Sequence, residues 1–317
     1  VKYLKSKQLS VMLAVMTATA ATPASAQLRE TLPRPRQITG SPVQPDMAQL
    51  RARAEAGDLG AQNDLGIQLL DTSDPALAAE ARLWFRRAAD AGDAEAMNNL
   101  ATTLLIGAGG PPDEAQGRRL RDEAARQGSV GANMAIADRY LEGSEGYPRD
   151  PVRAFEHMRA AAASPLRSAA FAQWRLGMMH LEGVGTPRDS AAAYRIFVAA
   201  SERGGVRAMI SRAVMLATGD GVAEDDAAAR LWYQRAAESA EYGFEHALRA
   251  LGGMLLFGEG GPADLPRAVA YLRIAQAARD EPAGRILAAI ATRITPETDR
   301  EARQIAEQWM RLHLPGN

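Results

Sequence analysis

Chemistry in this chain would have to come from a short set of side chains. Four histidines, His157, His180, His246 and His313, are its neutral-range titrating groups, and there is no cysteine. Without cysteine neither a disulfide framework nor a thiolate metal site can form. The patterns H-E-x-x-H and G-x-S-x-G do not occur, and no lysine follows Lys7, which removes Ser-x-x-Lys as well. Gly183-x-Gly185 and Gly258-x-Gly260-Gly261 superficially look like phosphate loops, but they follow helical stretches and have no lysine to complete them. Aspartates recur behind such loops at Asp113, Asp150, Asp189, Asp225 and Asp264. Calcium sites need dense alternating oxygen ligands, which GVGTPRD lacks, so these carboxylates read as helix N-caps. No nucleophile–base pair can be named, and the chain reads as a non-enzyme that takes no cofactor and no metal.

Arginine is what remains. Lys2, Lys5 and Lys7 form a basic head, Leu9 to Ala20 an apolar centre, and Ala24-Ser25-Ala26 a small-residue cleavage site. Residues 1–26 therefore read as a signal peptide, predicting an exported, periplasmic protein that begins at Gln27. The apolar run is too short and too rich in Ala and Thr for a good membrane span. All three lysines leave with the leader, which takes the formal net charge from −1 to −4 and makes every remaining basic residue an arginine. With both signs interspersed, a nucleic-acid partner is excluded, because that needs a basic face. Guanidinium groups suit planar carboxylate recognition, although a GC-rich genome would produce the same bias.

The elements that must position these groups repeat. From Leu176 to Ser201 the stretch LGMMHLEGVGTPRDSAAAYRIFVAAS reads as helix, glycine turn and capped second helix. Its Leu-Gly pair recurs at Leu65-Gly66, Leu100-Ala101, Ile136-Ala137, Arg212-Ala213, Leu251-Gly252 and Leu287-Ala288, at intervals of 35 to 40 residues. The loop glycine recurs at Gly107, Gly143, Gly219 and Gly258. In the second helix a small residue stands three before a bulky one, as in Ala81/Trp84, Ala229/Trp232 and Ala268/Tyr271. Another small residue follows four places on, at Ala88, Ala124, Ala161, Ala200, Ala236 and Ala275. A period of this length marks a solenoid whose units bury their apolar faces only against their neighbours. Trp84, Trp232 and Tyr271 should then be core between helices, with His157 and His180 as packed rings.

The full pattern, L-G-x-x-Y-x-x-G-x-G-V, then Asp, then A-x-x-W-x-x-x-A-A-E-x-G, resembles the Sel-one-like repeat family, a branch of the tetratricopeptide-type helical repeats, over roughly residues 47–312. The resemblance implies an all-α right-handed solenoid of about seven helix-turn-helix repeats across 46–317. Pro33, Pro35, Pro42 and Pro45 make 27–45 a flexible linker before it, and Met47–Ala56 an N-terminal capping helix behind the cap residue Asp46. It also implies a scaffold or regulator of the cell envelope that binds a protein or peptide. The alternative it carries is an enzyme or ligand-binding protein acting on cell-wall or β-lactam-like molecules, as associated with some cysteine-rich relatives.

In tetratricopeptide-type stacks the first helices line the concave face, with groove positions two and five before the motif leucine and two, five and six after it. Carried onto this sequence, that rule selects Asn63, Glu95, Asn98, Thr102, Asp138, Trp174, Met178, Arg207, His246, Arg249 and Arg285. The early repeats would present acids and amides. Arg207, Arg249 and Arg285 would form a wall that grips the carboxylates of an acidic partner segment. Trp174 stands between the two groups, either as an exposed anchor or buried against the connection near Pro165; the sequence leaves both open. Such a groove takes an extended peptide or a partner helix.

Overall fold

The computed structural model describes residues 47–70, 74–166, 168–240 and 243–313. The expected leader (1–26), the linker (27–45) and the cap residue Asp46 lie outside the described residues. Within them the chain is helical, with no strand. The helices are α1 (Met47–Glu55), α2 (Leu59–Leu70), α3 (Pro75–Asp90), α4 (Ala94–Ile106), α5 (Glu114–Arg126), α6 (Val130–Glu142), α7 (Pro151–Ala162) and α8 (Ala169–Glu182). They continue as α9 (Ser190–Glu202), α10 (Val206–Thr218), α11 (Asp226–Glu238), α12 (Phe244–Phe257), α13 (Leu265–Ala277), α14 (Glu281–Ala289) and α15 (Pro296–His313). The chain divides into two compact units, Val43–Arg188 with α1 to α8 and one containing Asp189–Asn317 with α9 to α15.

The predicted caps start the second helices. Asp74, Asp113, Asp150, Asp189, Asp225 and Asp264 each accept a hydrogen bond from a backbone amide two or three residues on. Proline follows directly at Pro75 and Pro151, where its missing N–H is no loss. Thr295 Oγ1 accepts from the Thr298 amide at 3.1 Å and starts α15 in the same way. Each such cap contributes about 1 kcal/mol. First helices end on the loop glycines: Gly183 has φ 71°, and its amide returns to the Met179 carbonyl, the left-handed stop that glycine adopts without strain.

The second glycine of each loop has a separate job. Gly185 has φ 71°, and a Cβ there would stand 2.0 Å from the Pro151 carbonyl oxygen, at the first turn of the preceding second helix. The loop of one repeat thus docks on the helix start of the repeat before. In the third repeat this position is Glu145, which keeps the left-handed conformation at φ 52° despite its side chain.

Packing follows the motif. In the N-terminal unit Leu50, Leu65, Trp84, Phe85, Leu100 and Leu104 form the core; in the C-terminal unit Trp232, Leu248, Leu251, Leu255, Leu272 and Trp309 do so. The small residues predicted in second helices, including Ala88, Ala124, Ala161, Ala200, Ala236 and Ala275, are fully buried. They let neighbouring helices approach closely. Trp84 and Trp232 are buried as expected, while Tyr271 is only partly so. First helices also touch first helices one repeat on, α2 with α4, α4 with α6, α6 with α8 and α10 with α12. That contact pattern positions the groove residues.

Candidate interaction surface

Several polar groove residues turn out to bond to the adjoining repeat. In the N-terminal unit Asn99 Nδ2 donates to Asn63 Oδ1 at 2.8 Å. Glu95 Oε1 accepts the Val130 amide at 2.7 Å, satisfying an orphan donor at the start of α6. Gly131 permits this approach, since a Cβ there would lie 2.8 Å from Asn98 Nδ2 and 3.0 Å from Glu95 Oε2. Asn98 Oδ1 is buried without a hydrogen-bond partner among the described residues, and Thr102 Oγ1 donates to the Asn98 carbonyl. Asp138 pairs with Arg175 at 2.5 Å across α6 and α8. The Asn63–Asn99, Glu95–Val130 and Asp138–Arg175 contacts form a ladder with the period of the repeat, fixing the stagger of successive first helices.

Trp174 is half-buried on α8 and stacks on Phe171, with ring centroids 5.5 Å apart and planes at 22°. Phe171 is 40% exposed. Met178, one turn further along, is partly exposed beside them. An aromatic pair and a thioether thus share one helix face with Arg175.

The C-terminal unit corrects the arginine wall. Arg249 is 3% exposed and donates from Nη1 to Asp280 Oδ2 at 2.6 Å. Asp280, also buried, accepts from the Ala283 amide and stands 3.2 Å from His246 Nδ1. Burial alone would raise the Asp280 pKa, but the His246 bond, the Arg249 charge and the Ala283 amide hold it below the ordinary carboxylate range. Arg249 is therefore an internal tie between α12 and α14, not a contact for a partner. Arg207 is partly buried, and Arg285 is exposed, its one ionic approach among the described residues being a loose 4.0 Å to Glu281 on its own helix. Two arginines of such different exposure, with the middle one buried, do not make one wall.

Other residues carry roles the motif does not announce. Arg212 occupies a leucine position of the repeat and lies over the Trp232 ring at 4.0 Å, while Arg235 lies over the same ring at 4.6 Å. The guanidinium supplies a flat, apolar-tolerant surface where leucine would have packed. Glu145 gathers Arg121, whose side chain is 5% exposed, and Arg139, each at 2.9 Å. His157 stacks on Tyr140 at 5.7 Å and meets Asn133 Oδ1 at 3.0 Å; burial lowers its pKa. His180 packs edge-on against Phe155. The described residues hold no cluster of three or more metal-ligating side chains, and none of their helices is long and apolar enough to cross a membrane.

Helix pairs stacked at a fixed period, locked by bonds between first helices, define an α-solenoid repeat protein. The chain belongs to the Sel1 repeat family: the family's repeat model matches residues 60–93, 94–129, 131–165, 170–205, 206–240 and 245–276. The last helix pair, α14 and α15, lies beyond these matches. A 140-residue segment is 31% identical to the Sel1-repeat-containing protein YjcO of Escherichia coli K12 and to the uncharacterized protein YjcO of Shigella flexneri, covering 44% of this chain. The match spans only 59% of those curated relatives. Among solved structures, a Sel1 repeat protein from Oxalobacter formigenes has a TM-score of 0.59 at 22% identity, covering 74% of this chain and 100% of that one. That likeness is one of fold. Sel1 repeat proteins are generally non-enzymatic scaffolds that bind other proteins.

Proposed function

We propose that this chain is an exported scaffold or regulator in the bacterial cell envelope that holds a partner protein on the first helices of its N-terminal unit. The observation that carries this is the Phe171–Trp174 stack on α8, with Met178 one turn on and the Asp138–Arg175 pair beside it. Rigid rings with a guanidinium nearby are the usual anchors of a protein interface, and methionine adapts to the partner's shape. The segment recognised carries apolar anchor residues; an acidic preference loses its main support with Arg249 buried. Export rests on the basic head, apolar centre and Ala24-Ser25-Ala26 of residues 1–26.

A photo-crosslinking side chain placed at Met178 in the producing cell tests this reading. It should trap one envelope protein that the same probe at Leu83, an exposed second-helix position, does not. Equal capture from both positions, or from neither, contradicts it.

A further inference from the structure

The C-terminal unit contains a cavity of about 330 Å³ that the scaffold role does not use. It lies among α11, α13 and α15, with Leu251 and Leu255 of α12 also in its wall. Its size falls at the low end of small-molecule sites, about 300–1,000 Å³. The lining combines two kinds of group. Leu251, Leu255, Ile305 and the rings of Tyr271 and Trp309 supply apolar surface. Arg230, Arg267 and Gln308 supply donors.

The pocket is open on one side, with Gln234, Glu238, Arg267 and Gln308 exposed at its rim, and its inner wall is ordered by several contacts. Trp309 is 6% exposed and clamped between Phe244, 5.8 Å away, and His313, 4.7 Å away, in near-parallel stacks. Its indole N–H has no hydrogen-bond partner among the described residues. His313 Nδ1 donates to the Trp309 carbonyl at 2.9 Å, which fixes its ring. Arg230 is held in place by one bond, Nη1 to the Pro262 carbonyl at 3.2 Å, and keeps its other donors. Among the described residues, the acid that Arg267 approaches is its own cap, Asp264, at 3.6 Å. The Tyr271 hydroxyl has no hydrogen-bond partner among the described residues; burial raises its pKa, and the charges of Arg267 and Arg230, which lower it, act on it together with those of Glu238 and Asp264, which raise it. The acid in the lining, Glu238, already accepts from Gln234 at 2.7 Å.

We infer that this pocket binds a small carboxylate carrying an apolar body, its acid group facing Arg230, Arg267 and the Tyr271 hydroxyl and its body against Leu251, Leu255, Ile305 and the edge of Trp309. A guanidinium pairs with a carboxylate through two parallel hydrogen bonds; the faces of Trp309 are taken by Phe244 and His313, so the body rests on the Leu251, Leu255 and Ile305 side chains and on the edge of the indole. Such a ligand exists either as a free acid or as the C-terminal residue of a peptide.

The test uses the full chain and two pairs of probes: N-acetylphenylalanine and its amide, and the tripeptide Ala-Ala-Phe with a free or an amidated end. Binding is followed through the Trp309 indole N–H resonance, assigned with Trp309→Phe, and by calorimetry. A charge-assisted hydrogen bond contributes about 1.5–3 kcal/mol, so an acid should bind at least about tenfold more tightly than its amide. That preference should shrink in Arg267→Gln, whose side chain is half exposed and comes no closer than 3.6 Å to Asp264, and vanish when Arg230→Gln is added. Tyr271→Phe should weaken the acid alone. Preference for the free acid or for the peptide identifies the source, and either supports the assignment. Equal binding of acid and amide, or no movement of the Trp309 resonance with any probe, overturns it without recourse to a variant.

Discussion

Arg249 reaches across from α12 to Asp280, 31 residues on, with Nη1 at 2.6 Å from Oδ2 and both side chains almost fully buried. One carboxylate caps α14, takes the guanidinium and meets His246. Removing one partner of a buried pair strands the other, at about 3–5 kcal/mol. Arg249→Ala should therefore lower the stability of the C-terminal unit by about that amount, read by urea denaturation and by amide exchange in α12 and α14. Unchanged exchange would mean the tie contributes nothing.

The same pair sets an acid limit. The Asp280 pKa is lowered in the fold, so its contribution is complete above the ordinary carboxylate value of about 3.9 and is lost as pH falls through the lower folded value. Asp280→Asn keeps an oxygen for the cap but not the charge. Its stability should be lower at neutral pH and fall less steeply below about pH 4. Parallel pH profiles for the two proteins would remove Asp280 from the acid transition.

How far the sequence leads can be judged residue by residue. The caps, the loop glycines and the buried alanines were legible because each follows from one residue's own geometry at a fixed place in the repeat. The groove positions were legible as places on first helices but not as chemistry. Whether Arg249 faces a partner or the interior depends on Asp280, and the motif says nothing of which residue one repeat on will meet it. Arg212 shows the same limit: a cation in a leucine position makes sense only once Trp232 is seen beneath it. The signal available was the spacing itself, since polar residues one repeat apart, such as Asn63 and Asn99, are neighbours in any such stack.

Trp232 is 9% exposed beneath Arg212 and Arg235. Trp232→Ala should cost roughly 3–5 kcal/mol. In a stack held by nearest-neighbour contacts the loss should appear as opening of α10 to α13 before the N-terminal unit. Limited proteolysis with mass mapping checks this; a single uniform transition in both units would contradict it.

Glu145 separates two opposed effects. Left-handed backbone costs a non-glycine residue about 1–2 kcal/mol, whereas its carboxylate holds Arg121 and Arg139. Arg121 is nearly buried, so leaving it uncompensated outweighs the strain, and Glu145→Gly should destabilise on balance. Glu145→Ala should be worse than Glu145→Gly by about 1 kcal/mol, the strain alone. Thermal melts of the two variants give that difference directly.

His157 should make the N-terminal unit sensitive to mild acid. Burial lowers its pKa, so the unfolded chain takes up the proton first. Stability is then complete above the ordinary imidazole value of about 6.5 and declines as pH falls through the lower folded value. His157→Phe loses the bond to Asn133 but should also lose this slope between pH 7 and 5. A slope that persists in the variant would assign it to another group.

The central claim is that a partner docks on the Phe171–Trp174 face of α8. The most direct measurement is a titration of the crosslinked partner, once purified, against three forms of the full chain: wild type, Trp174→Ala and Arg285→Ala. A buried aromatic anchor is worth 2 kcal/mol or more, so Trp174→Ala should weaken the Kd by about thirtyfold while its melt stays that of a folded chain. Arg285→Ala, an exposed residue with only a loose ionic neighbour, should leave the affinity within about twofold. Wild-type affinity for Trp174→Ala, or a large loss for Arg285→Ala alone, would place the partner elsewhere.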